Sequence, residues 1–382
     1  MKIGMFTDTY LPAMDGVVNS IIQFRKSLEQ QGHEVFVFAP GEEDRVDSDD
    51  DHVFRFKSKS FSMYPDYRMA FYPNNRCHDL VHENDLDVIH NHAVAFMGIK
   101  AMIASKLLEV PCVFNFHTWV TDALHYYPVN LHEDLLTKLT WVYLKYLLRR
   151  SDAVIAPSKQ TLNELRDICP KMCYSKAIAP GVDTHRYNSH IDGSSIIDKW
   201  DLEGSEVLLH VGRISREKNL DLILDALPLI RKKNGDVKLV VVGAGPAKEY
   251  YERHVEKRGL EDDVIFTGFV SEDDLPKYYA AADTFVISSK FETLGIVIIE
   301  ALATGTVVAG IDFGVIPDIV KNGENGFLFK DDKKDCAKKI LLALENKDMV
   351  KDNGQGVLFD NRRAGDKLVD LYKEAISIKE QK

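Results

Sequence analysis

The sequence predicts an α/β protein of two doubly wound domains, each a mostly parallel sheet with helices on both faces. Short apolar runs typical of buried parallel strands alternate with helical stretches along the chain. This alternation stops and restarts once, between Pro180 and Glu206. The length of 382 residues and the hydrophobic content of 45% are ample for two cores.

The first series of elements starts at the N-terminus. Lys2 to Thr7 is predicted as a strand, and Gly16 opens a helix that ends near Gln31. Further strands are predicted at Glu34–Ala39, Asp87–His90, Cys112–Phe116 and Ala153–Pro157. Ser158 is the expected N-cap of the next helix, because a serine side chain can accept a hydrogen bond from the first helical turn.

The second series begins at Glu206. Its predicted strands are Glu206–His210, Lys238–Gly243, Val264–Gly268, Asp283–Ser288 and Val307–Ala309. Strands that alternate with helices in this way predict a parallel sheet built from βαβ units. Open sheets of this kind bind ligands outside the carboxyl ends of their strands, so the loops that follow these strands are the candidate site.

Composition and charge exclude several classes of protein. The net charge of −11 argues against nucleic acid as a partner, because phosphate binding needs a basic face. No apolar run approaches the roughly 20 residues that span a bilayer, and the N-terminus enters a strand without the apolar core of a signal peptide. The five cysteines give no disulfide framework, so we expect a cytoplasmic protein. The acidic segment from Glu42 to Asp51 is expected to be an exposed loop.

The segment from Phe291 to Glu300 carries two glutamates at a predicted strand-to-helix junction. Glu292 falls on the loop, and Glu300 falls one to two turns into a helix that starts near Gly295. Such a helix start offers free N–H groups and the positive end of the dipole, which suits a diphosphate. Carboxylates beside it can accept hydrogen bonds from sugar hydroxyls. The pattern indicates a nucleotide-sugar enzyme, against the ordinary alternative of two solvated glutamates.

Two cations follow the strand that opens the second series. Arg213 and Lys218 are predicted on the loop at its carboxyl end, where a ligand would bind. Arginine offers a fork of donors and lysine a point charge, so the pair can neutralise a leaving diphosphate. The alternative is a solvated basic loop that caps a helix.

A glycine-containing turn, Gly243 to Pro246, follows the next strand and superficially resembles a dinucleotide site. It lacks a third glycine, and Pro246 removes an N–H that would face a phosphate, so we reject a nicotinamide cofactor. Gly245 is instead predicted in a tight turn beside the donor nucleotide, with the loop at Thr267 available to the base.

Histidines end two predicted strands of the first series. His117 closes one of them, and a lone histidine on an apolar strand is more often a core residue than a site residue. His90-Asn91-His92 superficially suggests a metal or nuclease motif, but no carboxylate or cysteine spacing supports either. These residues are therefore predicted as polar side chains at a strand end.

Together these segments resemble the retaining glycosyltransferases of family GT4, which have the GT-B fold. The resemblance spans nearly the whole chain. Its further motifs are Asp15 to Ser20, Phe116-His117-Thr118 and Ala179 to Asp183, and the stretch from Tyr64 to Arg68 is similar to the glycolipid-forming branch. It implies two Rossmann-like domains facing a central cleft, with a helix near Gly365–Ile378 crossing back to the first domain. The predicted divisions are residues 1–185, 186–362 and 363–382.

The resemblance also implies roles for single residues. It places His117 against the transferred sugar, and it favours a same-face mechanism that retains configuration and needs no metal or other cofactor. The predicted catalytic residues are His117, Arg213, Lys218 and Glu292. The predicted donor-binding residues are Gly16, Val17, Arg213, Lys218, Gly245, Thr267, Glu292, Thr293, Leu294, Gly295 and Glu300.

Aromatic and basic segments of the first half are candidates for the acceptor site. The helix from Leu131 to Arg150 could lie on a membrane surface, but its apolar residues occur nearly all round, as in a core helix. The aromatic loop from Phe61 to Pro73 could hold an acyl chain or a sugar face. The predicted acceptor-binding residues are Asp8, Tyr64, Tyr67, Arg68, Trp119, Asp122 and His125.

The sequence therefore predicts an enzyme that moves glucose or mannose from a UDP- or GDP-sugar to an acceptor hydroxyl. The expected acceptor is a membrane glycerolipid or a lipid-linked acceptor, reached by peripheral contact with the inner face of the plasma membrane. The alternative is a soluble sugar or sugar phosphate. Two other classes are weighed: a phosphorylase using pyridoxal phosphate on a lysine, and a non-catalytic protein of the same fold. Neither fits as well, since both cations and both glutamates are present.

Overall fold

The computed structural model describes residues 1–13, 15–61, 64–70, 76–117, 133–292, 294–351 and 360–381, with backbone only at 61, 64–67 and 133–137. The chain forms two compact units. The first unit comprises Met1–Pro180 together with Asn361–Lys382, and the second comprises Gly181–Asp360.

The first unit is built on a largely parallel sheet. Its strands are β1 (Lys2–Phe6), β2 (Glu34–Gly41), β3 (Arg45–Val46), β4 (Val53–Lys57), β5 (Lys59–Phe61), β6 (Tyr64–Met69), β7 (Val88–Asn91), β8 (Cys112–Asn115), β9 (Ala153–Ala156) and β10 (Tyr174–Ala177). Its helices are α1 (Gly16–Gln30), α2 (Arg76–Glu83), α3 (Phe96–Leu108), α4 (Glu133–Arg150) and α5 (Lys159–Ile168). The eight strands of the main sheet lie in the order β10-β9-β8-β7-β1-β2-β4-β3, and β5 pairs with β6 as a separate hairpin.

Local sequence explains where these elements begin. The apolar residues of β1, β7, β8 and β9 are buried on both faces, as parallel strands require. The Asp15 side chain accepts from the N–H groups of Val17 and Val18, both at 2.9 Å, and so caps α1. The predicted cap at Ser158 is confirmed, because its hydroxyl accepts from Thr161 N at 3.0 Å.

The second unit contains a six-stranded parallel sheet. Its strands are β11 (Glu206–Val211), β12 (Val237–Val242), β13 (Val264–Gly268), β14 (Thr284–Ile287), β15 (Val307–Ile311) and β16 (Gly326–Phe329). Its helices are α6 (Ser194–Lys199), α7 (Leu220–Asn234), α8 (Lys248–Glu256), α9 (Leu275–Ala281), α10 (Ile296–Ala303), α11 (Ile316–Ile319) and α12 (Lys333–Glu345). The strand order is β13-β12-β11-β14-β15-β16.

Each sheet has one point at which the chain reverses its direction of travel. In the second unit this switch point lies between β11 and β14, and in the first it lies between β1 and β7. Ligands of open α/β sheets bind at the carboxyl ends of strands beside such a point. The topology therefore singles out the loops after β11 and β14 in one unit, and those after β1 and β7 in the other. The predicted α/β class with two doubly wound sheets is confirmed.

The boundary between the units falls after Pro180 rather than after residue 185. The reason is that Val182 and Tyr187 are buried in the core of the second unit. A last helix, α13 (Asn361–Glu380), belongs to the first unit, two residues earlier than the predicted start at 363. It packs Leu368, Leu371 and Tyr372 into the core beside α1.

Candidate active site

The switch point of the second unit joins two loops by hydrogen bonds. The Ser288 hydroxyl, just after β14, donates to the carbonyl of Asn219 at 2.7 Å. The Asn219 side chain donates in return to the carbonyl of Ser288 at 3.3 Å. The loop from Gly212 to Asn219 is thereby fixed to the end of its neighbouring strand, which places the predicted cations beside the predicted glutamate loop.

Lys218 and Glu292 meet at this point. The ammonium of Lys218 donates to Oε1 of Glu292, and the two side chains are 23% and 14% exposed. Arg213 is exposed, and none of the described residues makes a hydrogen bond or ion pair with its guanidinium. Lys218 and Glu292 therefore form an ion pair, and the guanidinium of Arg213 is available to a ligand.

The α10 helix begins directly after Glu292 and Leu294. Gly295 has φ 63°, a left-handed conformation, and a side chain there would press on Ile319. The predicted helix start beside this glycine is confirmed, and no side chain of the described residues caps it. Its N–H groups therefore provide a partial positive charge at the switch point.

Glu300 lies on α10 and is only 5% exposed. Its Oε2 accepts from the Tyr279 hydroxyl at 2.8 Å, and the Tyr187 hydroxyl is a second polar neighbour. Burial raises the pKa of Glu300 to about 7, although both tyrosines partly oppose the shift. The predicted ribose-binding carboxylate thus lies beneath the loop, held by tyrosines that sequence reasoning did not identify.

Gly245 lies in the turn after β12, and Thr267 is the next-to-last residue of β13. The backbone of Gly245 packs on the backbone of Ile214, leaving no room for a side chain. This packing explains the glycine without reference to a ligand, so its predicted nucleotide contact stays a prediction. Thr267 donates from its hydroxyl to the carbonyl of Gly268 at 3.0 Å.

The switch point of the first unit is occupied by polar groups with internal partners. Asp8 follows β1, and its carboxylate accepts from the N–H groups of Ala95 at 2.7 Å and Met97 at 3.0 Å, at the start of α3. Burial raises the pKa of Asp8, and these backbone donors oppose the shift. Gly16 is exposed and Val17 half-buried at the start of α1. An acceptor hydroxyl that binds the Asp8 carboxylate, as predicted, would therefore compete with the N–H groups at the start of α3.

Three histidines lie together at the ends of β7 and β8. Nδ1 of His92 is 2.8 Å from Nε2 of His117, and the rings of His90 and His92 are 4.0 Å apart. His90 and His92 are buried, whereas His117 is half-buried. Burial lowers the pKa of His90 and of His117 to about 3, and that of His92 well below its usual value. All three are therefore neutral at physiological pH.

The structure describes only some of the remaining residues that were predicted to bind the acceptor. The guanidinium of Arg68 donates to the hydroxyl of Ser58 at 3.0 Å and helps line a cavity of about 590 Å³ beside Arg55 and Tyr10. Only the backbone of Tyr64 and Tyr67 is described. The other predictions that lie outside the described residues are Trp119, Asp122, His125 and Thr293.

The acidic loop from Glu42 to Asp51 is mostly exposed, as predicted, but two of its aspartates are paired. Asp50 binds Arg25 at 2.6 Å, and Asp47 binds Arg55 at 2.7 Å. In the part of the chain that the structure describes, no cluster of three His, Cys, Asp or Glu side chains is arranged to hold a metal ion.

Comparison with known proteins assigns both units. Residues 14–186 match the family model "Glycosyltransferase Family 4", and residues 194–357 match "Glycosyl transferases group 1". The alpha-monoglucosyldiacylglycerol synthase of Streptococcus pneumoniae is 31% identical over 353 residues, which cover 90% of this chain and 78% of the relative. The chain belongs to glycosyltransferase family 4. A GDP-mannose-dependent alpha-mannosyltransferase of Corynebacterium glutamicum is 26% identical, over 94% of this chain and 84% of the relative.

Solved structures confirm the GT-B fold. Sucrose-phosphate synthase of Thermosynechococcus elongatus superposes with a TM-score of 0.76 at 20% identity, covering 98% of this chain and 99% of the other. Anabaena HepE, solved with UDP and glucose, gives 0.75 at 20% identity over 98% and 99%. The predicted class of enzyme, a glycosyltransferase, is confirmed, whereas the roles of single residues stay predictions.

Proposed function

We propose that this glycosyltransferase moves a hexose from a nucleoside diphosphate sugar to a hydroxyl of a glycerolipid, with retention of configuration. The similarity to two alpha-monoglucosyldiacylglycerol synthases supports glucose as the transferred sugar and a lipid as the acceptor. Anabaena HepE, a structural neighbour solved in complex with UDP-glucose, makes UDP-glucose the first donor to test. Two GDP-mannose-dependent relatives make GDP-mannose the second. Glucose in UDP-glucose and mannose in GDP-mannose are both α-linked to the diphosphate. An alpha product, which the names of these relatives specify, therefore corresponds to retention of configuration.

The observation that carries the proposal is the charge arrangement at the switch point of the second unit. Arg213 is exposed and unpaired among the described residues, and α10 begins just after Glu292, whose carboxylate pairs with Lys218 on the Arg213 loop. A diphosphate bound there would meet a guanidinium fork, the Lys218 ammonium and backbone N–H groups. We assign the diphosphate to these groups, the hexose hydroxyls to Glu292 and the ribose hydroxyls to Glu300.

Catalysis in this proposal consists of positioning and charge stabilisation. As the bond between the anomeric carbon and the phosphate oxygen breaks, negative charge grows on the diphosphate, which Arg213 and Lys218 stabilise. The acceptor oxygen forms its bond on the same face, and its proton passes to the departing phosphate. The diphosphate charge is met by protein cations, so we propose that the transfer needs neither a metal nor another cofactor.

Two helices of the first unit support a membrane-bound acceptor. One face of α4 packs Leu144, Leu147 and Leu148 into the core. The opposite face exposes Leu139 (56%), Val142 (68%) and Tyr146 (48%). The helix therefore has a core face as well as an exposed apolar face, which the sequence alone did not separate.

The α3 helix repeats this arrangement. Ile99, Ile103 and Leu107 are exposed at intervals of one helical turn. Lysine and arginine side chains accompany both exposed faces, namely Lys106, Lys138, Arg149 and Arg150. Apolar residues bordered by cations fit the surface of an anionic bilayer. No helix among the described residues is long and apolar enough to cross a membrane. We therefore propose peripheral contact with the cytoplasmic face of the plasma membrane.

The reaction is tested with radiolabelled UDP-glucose and GDP-mannose, each mixed with purified protein and a total lipid extract. We expect label in the organic phase with one donor, and loss of this label in Glu292→Ala. Label only in water-soluble products, with soluble sugars supplied in parallel, would overturn the lipid acceptor but keep the transferase. Absence of transfer from every nucleotide sugar would overturn the proposal.

Membrane contact is tested by co-sedimentation with vesicles of neutral or anionic phospholipid. We expect Val142→Glu to reduce binding to anionic vesicles strongly. Leu229→Glu is the matched control, because Leu229 is an exposed apolar residue (37%) on a helix of the second unit. Equal binding of both variants would contradict the assignment of α4.

A further inference from the structure

The acidic loop from Glu42 to Asp51, which the proposed reaction does not use, lines a cavity of the first unit. The cavity has a volume of about 590 Å³ and lies outside the carboxyl ends of β1 and β2, beside β4. The loop after β1, from Thr9 to Ala13, lines it as well. Small-molecule sites have volumes of about 300–1,000 Å³. The cavity is therefore large enough for a small ligand such as a sugar ring.

The charges of this cavity leave no surplus of positive charge for an anion. Its described lining residues include three arginines and four carboxylates: Arg45, Arg55, Arg68, Glu42, Asp47, Asp49 and Asp50. Nε of Arg55 donates to Asp47 at 2.9 Å, and its Nη2 donates to the carbonyl of Leu11 at 2.9 Å. Asp50 accepts two hydrogen bonds from Arg25, at 2.6 and 3.2 Å. A phosphate would therefore meet neutralised cations and further carboxylates, which repel it.

The hydroxyl of Thr9 has capacity for a ligand. Thr9 lines the cavity and is 4% exposed. Its N–H donates to the Thr7 hydroxyl at 3.3 Å, and its carbonyl accepts from the same hydroxyl at 2.7 Å. The Thr9 hydroxyl itself is buried, and none of the described residues forms a hydrogen bond with it. Since a buried hydroxyl without a partner is costly, a ligand that supplies the partner is stabilised.

Arg68 and Asp49 add a free donor and a free acceptor. Nε and Nη2 of Arg68 donate to Ser58 at 3.0 and 3.4 Å. Nη1 has Glu42 at 3.7 Å and makes no hydrogen bond with the described residues. The Asp49 carboxylate accepts from the Ser48 hydroxyl at 3.2 Å and forms no ion pair with the described residues. Hydroxyl groups both donate and accept, so a ligand with several of them matches this set.

We propose that this cavity is a subsite for a neutral hexose ring, which the acidic loop selects against a phosphorylated one. Thr9 and Arg68 donate to hydroxyl oxygens of the ring, and Asp49 accepts from another hydroxyl. That the ring belongs to the acceptor rests on the proposed function, whereas its binding does not. The same ring chemistry occurs in the head group of a glycolipid and in a free sugar. A diacylglycerol without a sugar has too few hydroxyls to match the cavity.

Binding is measured by saturation-transfer NMR on the full-length protein, with methyl α-glucoside and glucose 6-phosphate as the probes. We expect the glucoside to bind, and glucose 6-phosphate to bind at least about tenfold more weakly because of the excess of carboxylates. Absence of glucoside binding would overturn the proposal. Equal binding of the two probes would overturn the role of the acidic loop. Neither measurement requires transferase activity.

The position of the bound ring is tested with Thr9→Val, which removes the hydroxyl and keeps the shape of the side chain. We expect the affinity for methyl α-glucoside to fall by up to about tenfold, the effect of one hydrogen bond. Thr284→Val is the matched control, because Thr284 also has a buried hydroxyl without a partner but lies on β14 of the second unit. An unchanged affinity in Thr9→Val, or an equal fall in both variants, would contradict the site.

The role of the acidic loop is tested with Asp49→Asn, which removes one charge and keeps an oxygen that can accept. We expect the preference for the glucoside over glucose 6-phosphate to shrink, with little change in glucoside binding. Asp51→Asn makes the same change of charge in the same loop, at a side chain that is 94% exposed and does not line the cavity. Equal effects of the two substitutions would show that the net charge of the loop, and not the cavity, selects the ligand.

The source of the ring is tested by transfer to three acceptors: dioleoylglycerol, its monoglucosyl derivative and free glucose. We expect one of the two sugar-containing acceptors to have the highest kcat/KM, and which one it is identifies a glycolipid or a soluble sugar. A preference for dioleoylglycerol would overturn the assignment of the cavity to the acceptor but keep the proposed function. Glucoside binding that depends on Thr9, without transfer to any acceptor, would keep the subsite and contradict the proposed function.

Discussion

The two switch points of this enzyme differ in how they hold polar groups. In the second unit, Arg213, Lys218 and Glu292 retain contact with solvent and carry formal charges. In the first unit, His90, His92 and His117 are packed against one another, and burial keeps them neutral. Sheet topology fixes where each site lies, whereas burial fixes its charge. A charged site suits a diphosphate, and a neutral one suits sugar hydroxyls.

The largest effect should come from removing the free cation of the charged site. We expect Arg213→Ala to lower turnover on the order of 100-fold or more, because it removes a donor to the charge that develops on the diphosphate. Steady-state kinetics with the identified donor measure this loss. Arg216→Ala is the control, since Arg216 lies on the same loop but stacks on the ring of Tyr250, 3.7 Å away. Near-normal turnover in Arg213→Ala would remove the basis for the donor site.

Acid should destabilise the neutral site. The folded-state pKa of His90 and of His117 is about 3, below the ordinary 6.5, so the unfolded chain binds protons first as the pH falls. Stability is therefore lost between about pH 6.5 and 3, by up to about 1.4 kcal/mol per pH unit for each histidine. Hydrogen exchange in β7 and β8 at pH 6.5 and 5 measures this loss.

The second unit supplies the contrast for this experiment. The pKa of His210 is lowered to about 4 by burial, which also costs stability in acid. The pKa of Glu300 is raised from 4.5 to about 7, so its contribution runs the other way and increases as the pH falls. We expect β14 to lose less protection than β7. Equal losses in both strands would show that the histidine cluster is not the acid-sensitive element.

Nucleotide binding should depend on pH through Glu300. A protonated carboxyl is a poorer acceptor for ribose hydroxyls, so affinity for the free nucleoside diphosphate should fall below about pH 7. The fall should reach at most about tenfold per pH unit. Calorimetric titrations between pH 6 and 8 measure it, and Glu300→Gln should abolish the dependence. A dependence that persists in that variant must come from another group.

The smallest effect should come from the tyrosine that holds Glu300. Tyr279→Phe removes the 2.8 Å hydrogen bond to its carboxylate. We expect nucleotide affinity to weaken about fivefold, the value of one ordinary hydrogen bond. Tyr278→Phe, on the adjacent residue, should leave affinity unchanged. Equal weakening in both variants would indicate general disturbance of α9.

Much of the charged site could be predicted from sequence, because its residues follow apolar runs at short spacing. Arg213 and Lys218 come just after β11, and Glu292 comes just after β14, so the end of each strand identified them. The Lys218–Glu292 ion pair could not be predicted, since it depends on β11 and β14 being neighbours. Short strands such as β4 and β16 were also missed, because β4 is interrupted by Arg55 and β16 has only four residues.

The neutral site was largely hidden from sequence. The Tyr372 hydroxyl lies 2.7 Å from Nδ1 of His90, 282 positions away in the chain, and nothing in the pattern of α13 distinguishes a tyrosine that packs from one that also forms a hydrogen bond. Asn115 is the last residue of β8 and His117 follows two positions later, and the sequence gave no partner for either side chain. Gly245 shows that a glycine predicted beside the ligand can also have a packing reason, because a side chain there would meet the backbone of Ile214.

The position of α13 has a consequence for domain engineering. Ala364, Leu368, Leu371 and Ala375 fill the core of the first unit, although they follow the whole second unit in the chain. A fragment cut at Pro180 would expose that apolar surface to water. A chimaera that exchanges the first unit of one family 4 enzyme for that of another therefore has to carry both ends of the chain. Otherwise α13 of one enzyme would have to pack into the core of the other.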